Sequence, residues 1–158
     1  MEEEPEYLHL DKQLSIATNL FKRQMLPQGF KKCEEAINYA SNILSQIEFL
    51  SFYKKAIKHI FFLAIDFLNQ SQNEICFNML CRIESLMEND NFSKVPSLIT
   101  LLKNYFGCYF RRQGNLQLAI TYFEEALELA MDSQEYLGLS HTNIGALFSQ
   151  AGKFYFFT

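Results

Sequence analysis

An all-α fold built of antiparallel helical hairpins is what this sequence predicts, and three observations predict it. Apolar residues recur at three- and four-residue spacing along most of the chain, the pattern of amphipathic helices. Short polar or glycine-bearing breaks separate these stretches, and no convincing alternating strand occurs. Six glycines and three prolines in 158 residues are too few for the many turns of a β-sandwich. With 49% hydrophobic and 20% charged residues the chain can bury a core and is not disordered. Its length suits one domain of ordinary size.

Taken in order, residues 1–8 read as an acidic, flexible N-terminus, and residues 9–158 as the helical domain. The opening Met1-Glu2-Glu3-Glu4-Pro5-Glu6 has none of the basic-then-apolar pattern of a secretory signal. Asp11 is a candidate N-cap for a first helix carrying Leu10, Leu14, Ala17, Phe21 and Met25 on one side, broken by Leu26-Pro27-Gln28-Gly29. A second helix is expected over 31–44. A third covers 52–68, apolar around most of its circumference and so enclosed by neighbours. A fourth spans 74–87. After the irregular stretch 88–96 come a fifth to Gln113, a sixth over 116–131 and a seventh over 135–150, ended by Ala151-Gly152-Lys153. None of these apolar runs approaches the roughly 18 residues of a membrane-spanning helix.

An internal repeat underlies the pattern. Segments starting at Ala36, Cys76 and Ala119 align in their small and apolar positions. A second series aligns Leu63-Ala64-Ile65-Asp66-Phe67 with Phe106-Gly107-Cys108-Tyr109-Phe110 and with Ile144-Gly145-Ala146-Leu147-Phe148. In each, a large residue precedes a small one, and a Phe follows three positions after the small one. Small residues let two helix backbones approach, and bulky ones three or four positions away fill the groove between them. Hairpins of this kind stack, since none buries its apolar faces alone.

The chain resembles the tetratricopeptide repeat family, most clearly over residues 100–133. There Phe106-Gly107 and Phe110 on one helix, Gly114 at the turn, and Ala119, Phe123 and Ala126 on the next follow the family's large, small and aromatic pattern. Residues 144–152 begin a further unit with Ile144-Gly145, Phe148 and Gly152. Three positions depart from the family: Lys103 and His141 stand where an aromatic is favoured, and Met131 where proline is usual. The units are also longer than the family's common period. The resemblance implies an all-α, right-handed solenoid of about three and a half hairpins.

Catalytic chemistry finds no support. His9, His59 and His141 are scattered, with no metal-binding or nucleophile-base spacing, and no glycine-rich phosphate loop occurs. The adjacent pairs Glu34-Glu35 and Glu124-Glu125 point about 100° apart on a helix and read as solvated charges. Cys33, Cys76, Cys81 and Cys108 match no zinc spacing and read as buried free thiols of a reducing compartment. Neither cofactor nor metal is expected. A net charge of -4 argues against a nucleic-acid surface of bulk basic charge.

The family resemblance implies a cytoplasmic protein-interaction scaffold that holds a peptide or amphipathic helix in a concave groove lined by the first helix of each hairpin. By matching positions, the lining would be Phe61, Phe62 and Ile65, then Asn104, Tyr105, Cys108 and Arg111, then Thr142, Asn143 and Ala146. Arg111 and Arg112 would supply a basic rim. Chaperone-binding members clamp a terminal carboxylate with paired Lys and Asn; Asn104 and Asn143 match in part, but Phe61 and Leu101 stand where lysines are needed. The other class is a subunit built permanently into a large assembly, with the cilium or cytoskeleton as its setting by analogy. Such a subunit would use the unfinished last unit, where Phe154, Phe156 and Phe157 are expected either to dock on the seventh helix or to lack order. That end is expected to be covered by a partner or a second copy, or else to belong to a longer array.

Overall fold

The computed structural model describes residues 5–89 and 95–157, and for Pro5 and residues 153–157 the backbone alone. The described residues form seven α-helices and no strand: α1 (Pro5–Lys22), α2 (Leu26–Ile43), α3 (Gln46–Asn69), α4 (Asn73–Met87), α5 (Pro96–Arg112), α6 (Leu116–Ser133) and α7 (Leu137–Phe157). Consecutive helices pack against each other all along the chain. Odd-numbered helices also pack on the next odd one, α1 on α3, α3 on α5 and α5 on α7, and α2 packs on α4.

Three hairpins, α1–α2, α3–α4 and α5–α6, turn in the same way. Their middle turn residues, Gln24, Ser71 and Gly114, are left-handed at φ 61°, 63° and 80°. In each turn the next residue donates its N–H back five positions: Met25 to Leu20, Gln72 to Phe67 and Asn115 to Phe110, at 2.9, 2.9 and 3.0 Å. Only Gly114 occupies that conformation without steric cost. These turns correct the expected repeat register. They make Gly29, Cys76 and Ala119 equivalent, each the fourth residue after its turn, and each donating its N–H to that turn's last carbonyl. The expected register began at Ala36, seven residues later. Seven residues are about two helical turns, so a slip of that size preserves the buried face and hides itself in the periodicity.

Helix starts also differ from expectation. Pro5 opens α1, because proline suits a first turn whose N–H groups are unpaired anyway, and Asp11 sits mid-helix. The stretch 26–29 is the first turn of α2, with Pro27 at its start, and the break is Arg23–Met25. Gly29 is a close-approach residue: a Cβ there would stand 2.7 Å from the Phe21 ring of α1. Helix α3 begins at Gln46, where Ser45 caps it by accepting the Glu48 N–H at 3.3 Å. Helix α7 continues to Phe157, past the expected stop at 151–153.

Helix α3 is the centre of the core, touching α1, α2, α4 and α5, with eleven buried residues from Phe49 to Leu68. Small residues seat the close contacts: Ala17, Ala64, Cys76, Ala119 and Ala126 are buried. A Cβ at Gly107 would clash with the ring of Phe123 on α6. Aromatic rings tie α4, α5 and α6 together, with Phe77 stacked on Tyr109 at 4.9 Å and Tyr122 stacked on Phe106 and Phe110. Lys103, standing where the resemblance favours an aromatic, lays its stem in this cluster. Its ammonium reaches Glu125 at 2.9 Å and lies 5.5 Å from the Tyr122 ring centre. No described helix is long and apolar enough to cross a membrane.

Candidate binding groove

A groove of about 730 Å³ runs between α1 and α3. Helical spacing builds both walls. Asp11, Ser15 and Thr18 share one face of α1, while Lys54, Lys55, Lys58, His59 and Phe62 form the facing stripe of α3. Two polar links cross it. Lys55 Nζ meets Asp11 Oδ1 at 3.2 Å, between two exposed side chains. His59 Nε2 lies 2.6 Å from Thr18 Oγ1. The Thr18 hydroxyl proton goes to the Leu14 carbonyl at 2.8 Å, so the imidazole is the donor in that pair. Burial, followed by the charges of Lys22 and Lys55, holds His59 below its ordinary value of 6.5. Phe62 is 61% exposed, a large apolar side chain left in water beside three lysines.

The residues expected to line a groove divide into distinct environments. Phe62 lines the groove. Phe61, its neighbour in sequence, is fully buried and packs on Tyr105 with ring centres 5.1 Å apart, so it is core and not lining. Burial pushes the Tyr105 phenol up to about 12, with Cys108 and Tyr136 adding to the effect. Ile65 is half-buried against the core, and Ala146 is half-buried on α7. Thr142 is exposed and bonds its own helix at the Gly138 carbonyl, 2.8 Å away.

Asn104 is also fully buried and is a structural residue. It donates to the Thr100 carbonyl at 3.1 Å and to Ser140 Oγ at 3.0 Å, and accepts from Asn143 Nδ2 at 2.8 Å. Cys108 Sγ extends this ladder to Asn143 Oδ1 at 3.8 Å. The asparagines therefore fasten α7 to α5, and their amides are engaged with each other. Arg111 is half-buried, its Nε enclosed without a hydrogen-bond partner among the described residues. Arg112 is not a free rim charge. Its guanidinium caps α3, donating to the Leu68 carbonyl at 3.0 Å and to Asn69 Oδ1 at 2.6 Å. Phe154, Phe156 and Phe157 lie on the backbone of α7, and their side chains fall outside the described residues.

All four cysteines are free thiols. Burial pushes Cys33 and Cys76 up to about 12, Glu34 adding to the first and Cys108 to the second, which suppresses the reactive thiolate. Among the described residues no three His, Cys, Asp or Glu side chains converge on a metal-sized site. The feature missed in the sequence is the row Lys54, Lys55, Lys58, His59. Its one-turn spacing is visible in the sequence, whereas the repeat positions Phe61 and Asn104 face inward. No known protein family matches the chain, and neither does a curated protein or a solved structure.

Proposed function

We propose that the chain is a non-enzymatic protein-interaction scaffold of the tetratricopeptide type, a short right-handed solenoid whose first helices hold a peptide or partner helix. The observation that carries the reading is the α1–α3 groove itself, a cleft of about 730 Å³ between two first helices with Phe62 exposed in it. That volume is in the range of ligand clefts, and Phe62 offers an apolar anchor beside side chains that can hydrogen-bond a peptide. The shared turns of the three hairpins and the packing of each odd helix on the next support the solenoid, because alike hairpins in register bury their faces by stacking.

Selection of displayed random peptides on the purified chain tests this. Enriched peptides should bind in solution, lose affinity for Phe62→Ala, and keep it for Tyr39→Ala on α2. Peptides indifferent to Phe62→Ala, or no enrichment at all, would overturn the reading.

A second reading, a subunit held in an assembly through its edge, rests on α7. Gly145 matches Gly107 in the repeat, yet a Cβ there meets nothing within 4 Å, and Phe148 is 56% exposed where its counterpart Phe67 is buried. This face suits one more helix. Sedimentation that shows self-association abolished by Phe148→Glu would favour this reading, and a concentration-independent monomer would count against a second copy on that face.

A further inference from the structure

The chain carries a net charge of -4, but its groove carries the opposite sign. Lys54, Lys55, Lys58 and His59 stand along α3, and Lys22 is close enough to act on His59 from the end of α1. Among the described residues the carboxylate in the groove lining is Asp11, and Lys55 engages it at 3.2 Å. Among the described residues no carboxylate pairs with Lys22, Lys54 or Lys58. The Lys58 ammonium lies over the Tyr136 ring, 5.7 Å from its centre, a contact that leaves its charge uncancelled. Lys54 and Lys58 are one turn apart on the same helix, a like-charge spacing that weakens a helix. The lowered proton affinity of His59, caused first by burial and then by Lys22 and Lys55, agrees with a positive local potential. A local arrangement that opposes the fold without compensation marks a functional surface.

We infer that the α1–α3 groove takes a short acidic peptide segment carrying a large apolar side chain. This rests on the groove being the binding site. Carboxylates of the segment meet Lys54, Lys58 and Lys22, and its apolar side chain covers Phe62. The identification follows from charge complementarity: a positive cleft in a negative chain steers and orients an anionic segment and repels cationic ones. A nucleic acid fits less well. Its phosphate track calls for a basic stripe on a basic domain, whereas this chain is acidic overall and the cleft has Asp11 in its wall.

Fluorescence anisotropy decides the matter with labelled short peptides of one length and one central leucine, flanked by Glu and Asp, by Gln, or by Lys, and with a thymidine oligonucleotide. The acidic peptide should bind, weaken with added salt, and bind about tenfold tighter than the Gln peptide, since each exposed pair contributes a modest amount. Lys54→Glu with Lys58→Glu should weaken it by about tenfold or more, Lys54→Gln with Lys58→Gln by less, and Lys31→Glu on α2 hardly at all. Circular dichroism of each variant checks folding. Equal binding of the Gln and acidic peptides, equal damage from Lys31→Glu, or tighter binding of the oligonucleotide would overturn the inference. If displayed peptides depend on Phe62 but ignore the lysine reversals, the groove stands and the acidic class falls. If nothing depends on Phe62, both fall.

Discussion

Adding one methyl group at Gly107 should destabilise the protein, whereas the same change at Gly145 should stabilise it. Both glycines sit inside helices, where replacement by alanine alone favours the helix by about 1 kcal/mol. At Gly107 the new Cβ would clash with the Phe123 ring at Cε1, Cδ1 and Cζ. That ring is fully buried and cannot swing into solvent, so α5 and α6 must part or Phe123 must leave its rotamer. Overpacking of this kind costs about 1–3 kcal/mol, and the threefold ring contact argues for the upper end. The expected net effect of Gly107→Ala is a loss of about 2 kcal/mol, the clash less the helical gain. Each kcal/mol moves the melting temperature of a chain this size by about 2–4 °C. At Gly145 nothing among the described residues lies within 4 Å of the added carbon. Gly145→Ala should therefore gain about 0.5–1 kcal/mol. Urea unfolding of both variants, with a thermal melt, measures the pair. Adding Phe123→Leu to Gly107→Ala should recover part of the loss, since the two sites couple through one contact. A Gly107→Ala variant as stable as the parent, or two glycines that respond alike, would refute the account of the α5–α6 interface.

Three further outcomes follow from the same contacts. Arg112→Ala should cost about 1–2 kcal/mol in urea unfolding, because the α3 carbonyl at Leu68 and the Asn69 side chain lose a charged donor; Arg112→Lys should restore only part of it. Asn104→Ala should cost about 1–3 kcal/mol, since it takes a donor from Ser140 and the acceptor from Asn143 between α5 and α7, and hydrogen exchange in α7 should speed up more than in α1. His59 resists protonation in the folded chain, so the unfolded chain binds more protons as pH falls. Stability contributed by this histidine is present above 6.5 and lost as pH drops below that value toward the lowered folded one. The urea midpoint of the parent should thus fall relative to that of His59→Gln as pH decreases through this window.

Much of the helical layout was legible because three- and four-residue apolar spacing survives any tertiary detail. What was misread has local causes. The Ser45 cap starts α3 at Gln46, ahead of the apolar run that begins at Phe52. Pro27 and Gly29 look like a break, yet one opens α2 and the other admits the Phe21 ring. The repeat slipped by seven residues because helical periodicity tolerates that error, and only turn geometry exposes it. The expected groove lining differs from the observed one by a rotation: adjacent residues on a helix point about 100° apart, so Phe61 is a core side chain and Phe62 an exposed one. The pairing of Asn104 with Asn143 across α5 and α7 depends on the distance between two helices, which no single-helix pattern encodes.

The most direct test of groove binding is a backbone amide NMR titration of the labelled chain with the acidic leucine peptide. The account predicts shifts concentrated on Asp11, Ser15 and Thr18 of α1 and on Lys54, Lys58 and Phe62 of α3, with Tyr39 and Asn38 on α2 unmoved. Shifts centred on α2 and α4, or no shift at saturating peptide, would contradict it.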